Sequence, residues 1–138
     1  MRYLGLDLGT HRLGVSLSTL DMAVPLMSIE HENNYDYLID EIRKLVESKN
    51  IDMVVLGLPK NMNNSLGNKG IDAIEFGDRI KKEIGVDVVM QDERLSTVSA
   101  TNMLIDRDMR REKRKDVVDN IAATIILQCY LDRRKNER

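Results

Sequence analysis

The chain has 138 residues, 42% of them apolar and 32% charged, a net charge of −2 and a single cysteine, Cys129. That length suits one domain with a sizeable core, and the apolar and charged fractions suit a globular protein rather than a disordered one. No intramolecular disulfide can form, no apolar run reaches the ~18 residues of a bilayer span, and the near-neutral balance gives no global nucleic-acid signal. The expectation is a single cytoplasmic domain over residues 1–138, with no membrane contact and with any nucleic-acid grip confined to a local basic patch.

The opening stretch MRYLGLDLGTHRLGVSLST reads as two strands joined by a short Gly-containing turn. One carboxylate, Asp7, interrupts the first apolar run. A lone buried carboxylate costs several kcal/mol, roughly, unless it is paired, hydrogen-bonded or bound to a metal. Ala23 to Ile29 predicts a third strand, with Pro25 arguing for an edge position. Asn33 or Asn34 caps a helix running to about Lys49, with Tyr35, Leu38, Ile42, Leu45 and Val46 on one stripe.

Met53 to Leu58 is continuously apolar, the pattern of a strand buried on both faces. A polar loop follows from Lys60 to Asn68, then a helix over roughly Lys69 to Ile84 that Gly85 ends. Val86 to Gln91 predicts a fifth strand. Beyond Asp92-Glu93-Arg94 a further helix is expected, capped by Ser96 or Thr97, with Val98, Thr101, Leu104 and Ile105 on one face. A charged stretch covers Arg107 to Lys115, and a last helix, apolar nearly all round, spans about Asp116 to Asp132.

The order β-β-β-α-β-α-β-α-α gives an α/β fold. Three antiparallel strands precede parallel crossovers, in a mixed five-stranded sheet flanked by helices, with the first strand in the middle. That is a ribonuclease H-like architecture. It gathers three acids as candidates: Asp7 on the central strand, Glu93 past the end of a neighbouring strand, and Asp119 in the first turn of the last helix. Such carboxylates within ~4 Å would repel by roughly 4 kcal/mol per pair at an effective dielectric of 20. Oxygen ligands suit Mg²⁺ or Mn²⁺, and paired ions of this kind cleave phosphodiesters. Plainer readings stand beside these. Asp7 can be satisfied by turn amides, Asp119 can favour a helix dipole, and alternation leaves Asp92 and Glu93 on opposite faces without choosing between them. His11 and His31 have no evident nucleophile or acid partner.

The stretches GLDLGTHRLGVSLS, GLPKNMNNS, DERLST and KRKDVVDNIAATIILQCYLD span essentially the whole chain. With them the sequence resembles the pre-16S rRNA nuclease family, also described as Holliday junction resolvases, within the ribonuclease H-like superfamily. The resemblance implies a metal-bound acidic site on Asp7, Glu93 and Asp119, favouring Glu93 over Asp92. It implies a nuclease acting on precursor ribosomal RNA, or on branched DNA as a dimer. Two positions depart from the family pattern: His11 stands where Lys is expected, and Asn63 where Asp is usual.

Residues expected to touch nucleic acid are His11 and Arg12 in the first turn, Asn61 and Ser65 in the polar loop, and Arg94 beside Glu93. Arg110, Arg111, Lys113, Arg114 and Lys115 complete the set. The window Arg107 to Lys115 holds six basic and two acidic residues, a local +4. It reads either as a solvated connection or as a flexible clamp on phosphates. The aromatic residues form no loop platform, so backbone shape rather than base stacking is the expected target. Two other classes remain open. One is a non-catalytic binding module for nucleic acid or ribosomal particles. The other is an ATPase lobe, since LDLGT also resembles the phosphate-binding turn of actin-like and sugar-kinase proteins.

Overall fold

The structure is a computed structural model that describes residues 1–59, 66–92 and 111–136, the last segment by its backbone alone at 111–120 and 136. Five strands and three helices are described. They are β1 (Tyr3–Leu8), β2 (Arg12–Thr19), β3 (Met22–Glu30), α1 (Tyr35–Ser48), β4 (Met53–Leu58), α2 (Asn68–Ile84), β5 (Asp87–Asp92) and α3 (Arg111–Asn136). The sheet order is β3-β2-β1-β4-β5. Strand β1 pairs antiparallel with β2 and parallel with β4, so it occupies the centre as expected. Strand β3 is an edge, and Pro25 sits there beside a register shift, where its missing N–H removes nothing from an inner ladder.

Strand alternation divides the side chains between two layers. On one face Leu4, Leu6, Leu13, Val15, Val54 and Leu56 pack against Leu38, Ile39 and Ile42 of α1 and Phe76 and Ile80 of α2. All eleven of these are at most 2% exposed. Burying each side chain of this size contributes roughly 1.5–3 kcal/mol. Helix α1 begins at Asn34, whose side chain accepts from the Tyr37 amide at 3.1 Å. Helix α2 stops at Gly85, whose φ of 82° is cheap only for glycine. Arg79 ties the two helices together, donating to Asp36 at 2.8 Å and to Glu83 at 2.6 Å.

The other face carries α3. Ile126, Leu127, Tyr130 and Leu131 cover Tyr3 and Val55, and the Tyr3 and Tyr130 rings meet edge-on at 5.7 Å. Gly5 lets the helix approach. A Cβ there would lie 2.8 Å from Leu127 Cβ and 3.0 Å from the Ala123 carbonyl, and would collide with Ser16 Oγ. That hydroxyl instead donates to the Ala123 carbonyl at 2.8 Å. Among the described residues no helix is long and apolar enough to cross a membrane.

The last helix corrects the sequence-based boundary. It already includes Arg111, well before Asp116, so positions 111–115 are helical backbone. Arg, Lys and Glu are good helix formers, and a charged stretch leading into an apolar stripe simply extends the helix. The helix expected after Ser96 lies outside the described residues.

Candidate active site

Alternation along β1 fixes which way Asp7 faces. Leu4 and Leu6 enter the α1/α2 core, so Tyr3, Gly5 and Asp7 lie on the α3 side. Asp7 is half-buried at the carboxyl end of the central strand. Its antiparallel partner on β2 is Gly14. On β4, one residue beyond the Leu6–Leu56 pairing, stands Gly57. Asp7 is thus flanked on both sides by residues with no side chain. The transverse row continues outward from Gly14 to Ser28 on β3 and from Gly57 to Gln91 on β5.

Both outer members of that row are unusual. Ser28 Oγ and Gln91 Oε1 are buried side-chain oxygens without a hydrogen-bond partner among the described residues. An unsatisfied buried group of this kind costs about 1–3 kcal/mol and calls for an explanation. Sequence reasoning found neither, because only the strand register lines them up with Asp7.

The turn after Asp7 is held from outside. The Gly9 amide donates to the Arg12 carbonyl at 2.8 Å. A Cβ on Gly9 would sit 2.8 Å from that same oxygen, so only glycine fits. His31, 3% exposed, accepts from the Asn33 amide through Nδ1 at 3.0 Å. That acceptor leaves the proton on Nε2, which donates to the Gly9 carbonyl at 2.9 Å. The His31 amide also donates to the His11 carbonyl at 3.0 Å. His31 is therefore the latch of the turn, a role its sequence context did not signal because its partners are backbone atoms. His11 is exposed, and Arg12 pairs with Glu30 at 3.4 Å on the neighbouring strand. A cavity of about 180 Å³ opens beside the turn, lined by Gly9, Thr10, Tyr35 and Lys69 among others. A larger one, about 540 Å³, lies at the opposite end of β1, around Met1, Arg2 and Tyr3, away from Asp7.

Helix α3 runs antiparallel to β1, with Tyr130 over Tyr3 and with Ala123 and Leu127 over Gly5. Stepping four residues back along the helix from Ala123 moves about 6 Å, and stepping two residues forward from Gly5 along the strand moves about 6.6 Å. Backbone position 119 therefore lies one turn beyond Ala123 on the same helix face, toward the Asp7 end of β1. Because Arg111 to Lys115 are already helical, Asp119 lies beyond the first turn of the helix. The dipole reading of that acid falls, since the dipole acts only within the terminal turn.

Asp92, the last residue of β5, does not share a face with Asp7. Val88 and Met90 pack into the α1/α2 core while Val89 joins the α3 cluster. Asp92 therefore lies on the α1/α2 side, and Gln91 on the side of Asp7. Glu93, Arg94, Asn61, Ser65 and Arg110 lie outside the described residues. Arg111, Lys113, Arg114 and Lys115 are helical backbone positions of α3. Among the described residues no three His, Cys, Asp or Glu side chains could together hold a metal. The oxygen groups that are described, the Asp7 carboxylate and the orphaned Gln91 amide oxygen, are hard donors of the kind Mg²⁺ and Mn²⁺ prefer.

The sheet order, the central acid and the helix over its face define a ribonuclease H-like fold. Comparison with solved structures agrees. RuvC of Thermus thermophilus in complex with a Holliday junction substrate superposes with a TM-score of 0.63 at 16% identity, over 99% of this chain and 96% of that one. A second Thermus thermophilus RuvC structure gives 0.59. Residues 1–133 match the family described as RuvX, Holliday junction resolvase, and the chain belongs to that family. A Bacillus cereus relative named "Putative pre-16S rRNA nuclease" is 43% identical over 97% of this chain and 100% of its own length. A Clostridium botulinum relative of the same name is 41% identical over 96% and 97%. Family and relatives together support a nuclease.

Proposed function

We propose that this protein is a divalent-metal-dependent nuclease of the cytoplasm that hydrolyses phosphodiester bonds in structured RNA, processing the 5′ end of precursor 16S ribosomal RNA. The observation that carries the reading is Asp7, a carboxylate at the end of the central strand, flanked by Gly14 and Gly57 and facing α3. Neither glycine adds a side chain of its own beside the carboxylate. The names of the relatives support the choice of ribosomal RNA.

Asp7, Glu93 and Asp119 are the residues that would hold Mg²⁺ or Mn²⁺. A pair of such ions, when bound, supplies activation of the attacking water and stabilisation of the leaving oxygen. The chain's own task is to orient the substrate. The turn latched by His31 fixes the backbone next to Asp7. Arg94 would hold the phosphate being cut, with His11, Arg12, Asn61 and Ser65 along the nucleic-acid backbone. The basic positions Arg110, Arg111, Lys113, Arg114 and Lys115 would neutralise phosphates further along, which makes binding fall with salt.

A second reading, resolution of branched DNA by a homodimer, is favoured by the family description and the RuvC likeness. It uses the same residues. Purified protein incubated with Mn²⁺ and either precursor 16S rRNA or a four-way DNA junction separates the two. Cleavage of the RNA is expected, and cleavage of the junction alone would overturn the RNA reading. Asp7→Asn should abolish cleavage of either substrate while leaving folding and nucleic-acid binding nearly intact. Undiminished cleavage by that variant would end the catalytic claim and leave a non-catalytic assembly factor.

A further inference from the structure

From the transverse row through Asp7 we infer that Gln91 supplies a neutral oxygen donor, its Oε1, to the divalent cation held at Asp7. The inference rests on the metal-dependent reading above and adds a residue to it. Three observations converge. Gln91 lies on the same sheet face and in the same row as Asp7, two strands away. The residue between them in the row is Gly57, which contributes no side chain of its own on that face. And Gln91 Oε1 is buried with no partner among the described residues, an acceptor that is removed from water and answered by nothing.

Two interstrand spacings separate the Cα atoms of Asp7 and Gln91 by about 10 Å. Glutamine carries one more methylene than aspartate, so the two side chains can lean toward one another over Gly57. An amide carbonyl is an established oxygen donor for hard divalent ions. The other orphan, Ser28 Oγ, lies in the same row beyond Gly14. Its side chain is too short to cross the intervening strand, so the row serves the site from the β5 side only. A merely structural Gln91 predicts something different. An unanswered buried acceptor replaced by an isosteric apolar group should leave stability unchanged or improved and should not touch metal affinity.

Mn²⁺ binding to the full chain, followed by calorimetry and by the loss of the free Mn²⁺ spin-resonance signal, tests this without reference to cleavage. Gln91→Met is expected to keep its metal-free melting temperature and to bind Mn²⁺ about tenfold more weakly than the wild type, at the low end of what losing a supporting partner costs a metal site. Gln91→Glu keeps the oxygen and adds charge, and should bind Mn²⁺ at least as tightly as the wild type. Asp7→Asn should lose the site. Wild-type affinity in Gln91→Met would overturn the role of Gln91 and leave the nuclease reading standing. Should Gln91→Met not fold, Gln91→Glu decides, and weaker binding there overturns the role. Wild-type Mn²⁺ affinity in Asp7→Asn, or no Mn²⁺ binding by the wild type, would overturn both readings.

Discussion

The two faces of one sheet are built for different ends. The face toward α1 and α2 is continuous hydrocarbon, with Leu4, Leu6, Leu13, Val15, Val54 and Leu56 fully buried and no polar group among them. The face toward α3 is interrupted. Beside Tyr3 and Val55 it carries Gly5, Asp7, Gly14, Ser16, Ser28, Gly57 and Gln91, and its apolar packing is concentrated around the amino end of β1. A period of two residues lets the same strands supply both. The first face supplies most of the stability, and the second gives part of it up to place polar groups next to an acid. Opposite expectations follow for substitutions on the two sides of the sheet.

The largest effect is expected on the chemical face. Asp7→Asn should lower cleavage by more than the roughly 10–100-fold that loss of an outer partner costs a metal site, with little change in melting temperature. On the apolar face the balance reverses. Phe76→Ala should destabilise by about 3–5 kcal/mol in denaturant titration, while the Mn²⁺ affinity of the folded fraction stays at the wild-type value. Gly5→Ala blurs the contrast, because its Cβ would push α3 from the sheet and disturb the Ser16–Ala123 bond. We expect a loss of about 1–3 kcal/mol accompanied by weaker Mn²⁺ binding, since α3 carries position 119.

The smallest effect lies outside both faces, in the link between α1 and α2. The hydrogen bond from Arg79 holds the Glu83 carboxyl below the ordinary carboxylate range. A depressed folded-state pKa gives stability that is present above the unfolded value and is lost as pH falls through the folded one. Acid titration of Glu83→Gln should therefore show a slightly shallower loss of stability below the ordinary carboxylate range than the wild type. At neutral pH the two should differ little, because the group is exposed and screened.

Much of this arrangement was readable in the chain. MVVLGL gives β4 from Met53 to Leu58 without error, because a continuous β-branched run bounded by Pro59 has few other solutions. Asn34 and Gly85 mark helix ends through local chemistry that tertiary packing does not override. The amino-terminal part of α3 is not legible from charge alone, because a charged stretch resembles a solvated loop although Arg, Lys and Glu propagate helix well. The place of Asp119 along the helix depends on that same boundary. The site itself was legible only as isolated residues. Alternation separates Asp92 from its neighbour, but which of the two faces matches Asp7 depends on the β1-β4-β5 register, a long-range property. The glycines flanking Asp7, the orphaned Gln91 and the His31 latch are likewise relations between strands or with backbone atoms, and no local pattern encodes them.

The central claim is that the α3 face around Asp7 holds a divalent cation, and a crystal of the protein soaked in Mn²⁺ tests it most directly. The account predicts an anomalous scattering peak within about 2.5 Å of an Asp7 carboxylate oxygen. A map with no peak at Asp7, at a Mn²⁺ concentration that supports cleavage in solution, would contradict it.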